Sequence, residues 1–231
     1  MNLPPLQKGI LVQRYKRCLA DIRLDSGQNI TAHCPNSGSM LSCKEPGSEV
    51  LVSFHDGKNR KLPYTWELIH TARSWVGINT QYPNKLVEEA IRNEQIPEMQ
   101  NVAELRREVP YGRQSRIDLL LRQDMMWCYI EVKNVTLVER KTAYFPDAIT
   151  ERGTRHLKEL TDMVRQGFRA VIFFVVQRED AEIFMPAQKI DPRYADALRL
   201  AIANGVEILV YQAKVSPKQI ILDRPLPYNL S

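Results

Sequence analysis

The sequence predicts an α/β chain, α+β overall, in which a small five-stranded β-barrel precedes a mixed domain of helices and strands. Three observations carry that expectation. Residues 9–80 hold short strand-like runs broken by turn clusters. From residue 84 the apolar spacing lengthens to that of a helix. Residues 170–176, Ala-Val-Ile-Phe-Phe-Val-Val, form an unbroken apolar run, as in a strand buried on both faces. The expected domains are 1–82 and 83–231.

In the first part, strands are expected at 9–24, 28–33, 49–55, 64–70 and 75–79. Between them lie the turn signals Asp25-Ser26-Gly27, Pro35-Asn36-Ser37-Gly38, Pro46-Gly47 and Asp56-Gly57. Five strands, the first long enough to bend, suit a closed barrel of the oligonucleotide-binding (OB) kind; an SH3-like barrel or a sandwich fits the same pattern. In the second part, Leu86, Ala90 and Ile91 mark a helix at 84–94. Strands follow at about 104–110, 115–122 and 127–133. A helix is expected at 148–166, with Asp147 or Thr150 as N-cap and Gly167 as stop. After the strand at 170–176, a helix starts at Asp191-Pro192 and ends at Gly205, and a last strand covers 206–212.

No apolar run approaches the roughly 20 residues that span a bilayer. The Met1–Pro5 segment has neither a basic nor an apolar region of the export type, so a cytoplasmic protein is expected. The four cysteines (Cys18, Cys34, Cys43, Cys128) show no Cys-x-x-Cys spacing, and free thiols are expected. His33, Cys34 and Cys43 lack the spacing and the fourth ligand of a zinc site. Net charge is +5, and residues 1–80 carry 10 Lys and Arg against 6 Asp and Glu. The remainder carries 22 against 21. A basic N-terminal part suits a polyanion such as DNA, whose counterions it would release, and suits an ordinary solvated surface equally well.

The stretch that carries chemistry is Ser115-Arg116-Ile117-Asp118-Leu119-Leu120-Leu121, followed by Tyr129-Ile130-Glu131-Val132-Lys133. Ile117, Leu119 and Leu121 share one parity, as do Cys128, Ile130 and Val132, and these should form a packed face. The other parity carries Asp118 on one strand and Glu131 and Lys133 on the next. A turn at Asp124-Met125 sets Asp118 opposite Glu131, where Cβ atoms lie about 4.5–5.5 Å apart and like charges repel. A divalent cation such as Mg²⁺ or Mn²⁺ offsets that repulsion, with Asp118, Glu131 and the Val132 carbonyl as ligands. Lys133 would then serve the attacking water and the phosphate in phosphodiester hydrolysis. Ion pairs Asp118–Lys133 or Arg122–Glu131 satisfy the same charges without metal.

The Asp…Glu-x-Lys pattern on such a core resembles the PD-(D/E)xK nuclease superfamily, although Ile117 stands where its proline would be. Longer segments resemble the bacterial sugar fermentation stimulation protein A family. They are Gln13–Arg17, His33–Met40, Tyr64–Leu68, Glu131–Leu137 and Phe145–Gly153. The resemblance implies an N-terminal OB-like barrel, a PD-(D/E)xK nuclease-like αβββαβ domain, and DNA binding. It also implies a rival reading: a non-catalytic DNA-binding regulator of sugar (maltose) metabolism that uses a nuclease-like scaffold. Glu89, on the first helix, is a further candidate metal ligand by the same resemblance.

Candidate DNA contacts are the interleaved Arg14, Tyr15, Lys16 and Arg17, the basic turn of Lys58, Arg60 and Lys61, and Arg113 and Arg116. Arg152, Arg155 and His156 join them, because the first turns of a helix favour phosphate. Tyr15 stacks on a base in one reading and packs in the barrel in the other. His156 is a secondary catalytic candidate or a packed core histidine. The turn-rich segment 33–40 can present backbone N–H groups to an anion. DNA is the expected partner, with no membrane and no small-molecule cofactor; a homodimer is left open.

Overall fold

In the computed structural model, residues 1–57, 60–112 and 115–231 are described, so the candidate DNA contacts Lys58 and Arg113 lie outside the described residues. The N-terminal strands are β1 (Leu6–Tyr15), β2 (Leu19–Leu24), β3 (Asn29–His33), β4 (Glu49–Phe54), β5 (Tyr64–His70) and β6 (Trp75–Gly77). They run in the order β3-β2-β1-β4-β5-β6, and a parallel contact between His33 and Thr65 joins β3 to β5. That contact closes β1–β5 into the expected five-stranded OB-like barrel. Trp66, Leu11, Ile22 and Ile69 fill it, each at most 1% exposed.

Two assignments change. The run at 9–24 is not one bent strand but a hairpin, because Lys16 and Arg17 take φ of 49° and 62° and reverse the chain. No glycine or asparagine announces that turn. The run at 75–79 supplies β6, a short hairpin partner of β5 outside the barrel ring.

The second part begins with α1 (Tyr82–Arg92) and a 3₁₀ turn at Pro97–Met99. Next come β7 (Val102–Tyr111), β8 (Ser115–Gln123), β9 (Met126–Val135), β10 (Leu137–Glu139) and β11 (Thr142–Phe145). The chain continues through α2 (Glu151–Arg165), β12 (Arg169–Val176), β13 (Ile183–Pro186), α3 (Pro192–Ala203), β14 (Glu207–Val215) and β15 (Ile220–Pro225). The main sheet has the order β15-β14-β12-β9-β8-β7, with β9, β12 and β14 parallel. With β10 and β11 set aside, α1-β7-β8-β9-α2-β12 follow the expected αβββαβ order. The strands β10, β11 and β13 form a separate small sheet that the sequence pattern did not reveal.

Alternation along β12 shows why this strand is apolar throughout. Val171, Phe173 and Val175 pack with α1, while Ala170, Ile172, Phe174 and Val176 pack under α2 and α3. The helix ends follow their caps. Thr150 Oγ1 accepts from Gly153 N at 3.0 Å and Asp191 Oδ1 accepts from Tyr194 N at 3.0 Å. Gly167 and Gly205 take φ of 89° and 95° just past α2 and α3.

The two parts meet in one shared hydrophobic cluster, while each keeps a cluster of its own. Leu51 and Leu68 of the barrel pack in the same cluster as Leu86, Leu119 and Phe173. Polar ties reinforce the join: Gly77 N donates to Gln177 O at 2.9 Å, and Arg178 Nη1 donates to Ser42 Oγ at 3.0 Å and Thr136 O at 2.8 Å. Among the described residues, no helix is long and apolar enough to cross a membrane.

Candidate metal centre and nucleic-acid cleft

The β8–β9 hairpin turns where the sequence places it: Gln123 pairs with Met126 and Leu119 with Ile130. Pairing stops at Leu119, and Asp118 takes over the next link with its side chain. Its Oδ2 accepts from Val132 N at 2.8 Å, while Oδ1 accepts from Asn84 Nδ2 of α1 at 2.8 Å. On its other edge β9 pairs with β12 from Cys128 to Val135, Glu131 standing beside Ile172. The expected single apolar face of β8 divides here. Leu119 and Leu121 pack on the α1 side but Ile117 packs with the α2 cluster, across from a kink in β7 where Glu108 takes φ of 50°.

Glu131 is 3% exposed. Its Oε1 accepts from Lys133 Nζ at 2.6 Å and meets His156 Nδ1, while His156 Nε2 accepts from Arg152 Nε at 3.3 Å. Neither ion pair left open by the sequence forms: Lys133 pairs with Glu131, and Arg122 pairs with Glu104. Burial pushes the Glu131 carboxyl up, but Lys133 and His156 outweigh it and hold the group below the usual carboxylate range. Asp118 goes the other way. Burial, then the neighbouring Glu131 charge, raise its carboxyl to about 6.

Glu131 Oε2 is buried and has no hydrogen-bond partner among the described residues. An orphaned carboxylate oxygen beside a second carboxyl whose ionisation burial disfavours is the arrangement a hard cation relieves. Among the described residues no three His, Cys, Asp or Glu side chains gather at one point. Two carboxylates, with backbone, water and phosphate oxygens completing the set, fit Mg²⁺ or Mn²⁺.

Two expected assignments fail. Glu89 is 46% exposed and binds the Met1 amino group at 3.0 Å, away from Asp118. At about 100° per residue, it sits some 140° around α1 from Asn84, the residue that does reach Asp118. His156 was expected at a phosphate-facing helix end. Instead its ring is 2% exposed and bonded to Glu131, so the packed-histidine alternative holds and the phosphate contact does not.

The remaining basic residues are dispersed. Arg14 donates to Asn36 O at 2.8 Å and Gly38 O at 2.9 Å, holding the 36–38 loop. Tyr15 lies half-buried outside the barrel core, its hydroxyl on Asp21 at 3.1 Å. Lys16 and Arg17 are exposed on the β1–β2 turn. Arg60 and Lys61 line a hollow with His33 and Gln81. Arg155 lines another on the outer side of α2, and Arg116 donates to Glu108 O at 3.2 Å.

A cleft of about 390 Å³ lies between the barrel and the second part of the chain. Arg17 and Asn36–Gly38 line one side, Val132–Asn134 another, and residues 144–150 with Arg152 the third. Asp118 and Glu131 do not line it; Lys133 is the link, since it lines the cleft and bonds Glu131. Asn84, the His156 contact and this cleft escaped sequence reasoning. Asn84 carried a weak signal, as a polar residue one turn before Glu88 and Glu89 on the same helix.

Residues 12–78 match the model of the SfsA N-terminal OB domain, and residues 81–219 that of the sugar fermentation stimulation protein RE domain. Sugar fermentation stimulation protein homologs are similar over the full length of both chains: 55% identity for that of Pelobacter propionicus and 56% for that of Geobacter metallireducens. Among solved structures, that of Pyrococcus furiosus SfsA in complex with Ca²⁺ superposes with a TM-score of 0.91 at 28% identity. It covers 99% of this chain and 98% of that one.

Proposed function

This chain belongs to the sugar fermentation stimulation protein family, and we propose that it binds DNA and hydrolyses phosphodiesters with Mg²⁺ or Mn²⁺ held by Asp118 and Glu131. The observation that carries this reading is the orphaned Oε2 of Glu131 next to the raised carboxyl of Asp118. The Pyrococcus furiosus relative is described in complex with Ca²⁺, a hard, oxygen-seeking cation like Mg²⁺. When bound, the cation supplies a water of lowered pKa and a counter-charge for phosphate. The chain's own residues set the rest. Val132 N and Asn84 fix the Asp118 carboxylate. Lys133 and His156 hold Glu131 Oε1 and leave Oε2 as its open donor. Lys133, at the cleft wall, brings a positive charge to an incoming phosphate. A cytoplasmic setting suits the four free cysteines.

The rival reading is a DNA-binding regulator whose nuclease-like fold is a scaffold, and the name borne by the relatives, sugar fermentation stimulation, favours it. Incubating the purified protein with single- and double-stranded DNA and Mg²⁺ or Mn²⁺ separates the two. Cleavage lost in Asp118→Asn and Lys133→Met supports the enzyme. Cleavage that persists in both belongs to a contaminant, and DNA retention with no cleavage at all supports the regulator.

A further inference from the structure

The cleft has a feature that the metal centre does not explain: it is built across two domains that polar contacts tie together. Met40 N donates to Asp147 Oδ2 at 2.9 Å, tying the loop after β3 to the segment before α2. Gly38 sits so close to the same carboxylate that a Cβ there would fall 2.5 Å from Asp147 Oδ1. Arg178, 3% exposed, adds the bonds to Ser42 and Thr136 described above. A braced cleft of about 390 Å³ falls in the range of sites for small ligands, about 300–1,000 Å³. Its volume is on the scale of one small ligand and does not take in the two paired strands of a duplex.

The walls suit a nucleotide. Arg17, exposed on the β1–β2 turn, and Arg152, exposed on the first turn of α2, bring cations from opposite domains. Tyr144 offers an aromatic ring. Asn134 Oδ1 accepts from Gln177 Nε2 at 2.7 Å, which leaves its amide N–H groups as donors. Ile149 lines the cleft and is 76% exposed, an apolar side chain placed where it can wedge against a stacked base.

We propose that this cleft holds one unpaired nucleotide adjacent to the scissile phosphodiester, so that the substrate class is a single strand of nucleic acid and not a duplex. The inference rests on the metal-site reading above for the position of the scissile bond, since Lys133 belongs to both. The strand passes Lys133, its next nucleotide turns into the cleft, and Ile149 and the Arg17 turn hold its neighbours apart.

The test measures anisotropy of labelled 12-mers with Ca²⁺ in place of Mg²⁺, using a single strand and its duplex, in deoxyribose and ribose forms. Single strands of either sugar should bind about tenfold more tightly than their duplexes, in line with one stacked base. Ile149→Glu and Arg17→Glu, both at exposed positions, should lose most of that preference while the melting temperature stays unchanged. A 2-aminopurine base stepped along the strand should change fluorescence at one register, and that change should vanish in Ile149→Glu. Equal affinity for strand and duplex overturns the proposal, as does undiminished strand preference in both variants. Failure of the nuclease reading appears separately, as absence of Mg²⁺-dependent cleavage with strand preference intact.

Discussion

Asp118→Asn, measured with chelator present, should make the protein more stable at neutral pH. In the folded chain burial, and secondarily the charge of Glu131, raise this carboxyl from 3.8 to about 6. Between those values the folded chain keeps a proton that the unfolded chain releases, so stability falls as pH rises through the window. Well below pH 3.8 both states are protonated and the penalty is absent; at pH 4 only a small part of it remains. Each unit is worth about 1.4 kcal/mol, which makes the penalty above pH 7 about 3 kcal/mol. Asparagine removes the charge at nearly constant shape. Its carbonyl oxygen still accepts from Val132 N, and Asn84 can rotate its own amide to present oxygen to the new NH₂. At about 2–4 °C per kcal/mol for a chain of this size, the variant should melt about 6–12 °C higher at pH 7.5. Urea unfolding at pH 4, 5, 6 and 7.5 reads the effect, with wild type and variant converging at the acid end. A gain of equal size at every pH, or a loss at pH 7.5, refutes the reasoning.

Saturating Mg²⁺ should stabilise the wild type, by about 2.7 kcal/mol at a hundred times its Kd. Glu131→Gln should lose most of that increment in the same melts. Arg178→Met should cost about 3–5 kcal/mol in urea unfolding, because it leaves the Asp180 carboxylate buried without its guanidinium partner. Gly153→Ala should lower the melting temperature although it favours a helix by about 1 kcal/mol. Its Cβ would fall 2.8 Å from Thr150 Cγ2 and 2.9 Å from Tyr194 Cε2, overpacking that costs about 1–3 kcal/mol. A higher melting temperature contradicts the close α2–α3 packing.

The nuclease-like core was legible because its signals are local and strong. The apolar run at 170–176, the Asp191-Pro192 start and the glycine stops each fix one element without help from the rest of the chain. The β1–β2 hairpin was not, because Lys16 and Arg17 bear the left-handed turn without a residue that favours it. Tertiary closure imposes that geometry, and side-chain type does not record it. The β10–β11–β13 sheet was hidden for another reason. Its strands have three or four residues each, and β13 joins β11 across some 40 intervening residues, too short and too distant for periodicity to register.

The site shows the same division in sharper form. Parity and turn position were enough to bring Asp118 toward Glu131, because strand period and hairpin register are backbone properties. What occupies the space around them was not readable, since Asn84 and His156 arrive from helices whose rotation depends on the whole core. Glu89 illustrates the error this allows: the correct helix, but about 140° from the face that matters. The contact that ends the β8–β9 ladder is also the one that positions the acid, because Asp118 Oδ2 takes the Val132 N–H. Alanine at 118 would therefore strip a backbone donor of its acceptor as well as remove the carboxylate, and lost activity in that variant would not distinguish chemistry from folding. Asparagine keeps the link and removes only the charge. An inactive Asp118→Asn protein that melts above the wild type would assign the carboxylate to chemistry at the expense of stability.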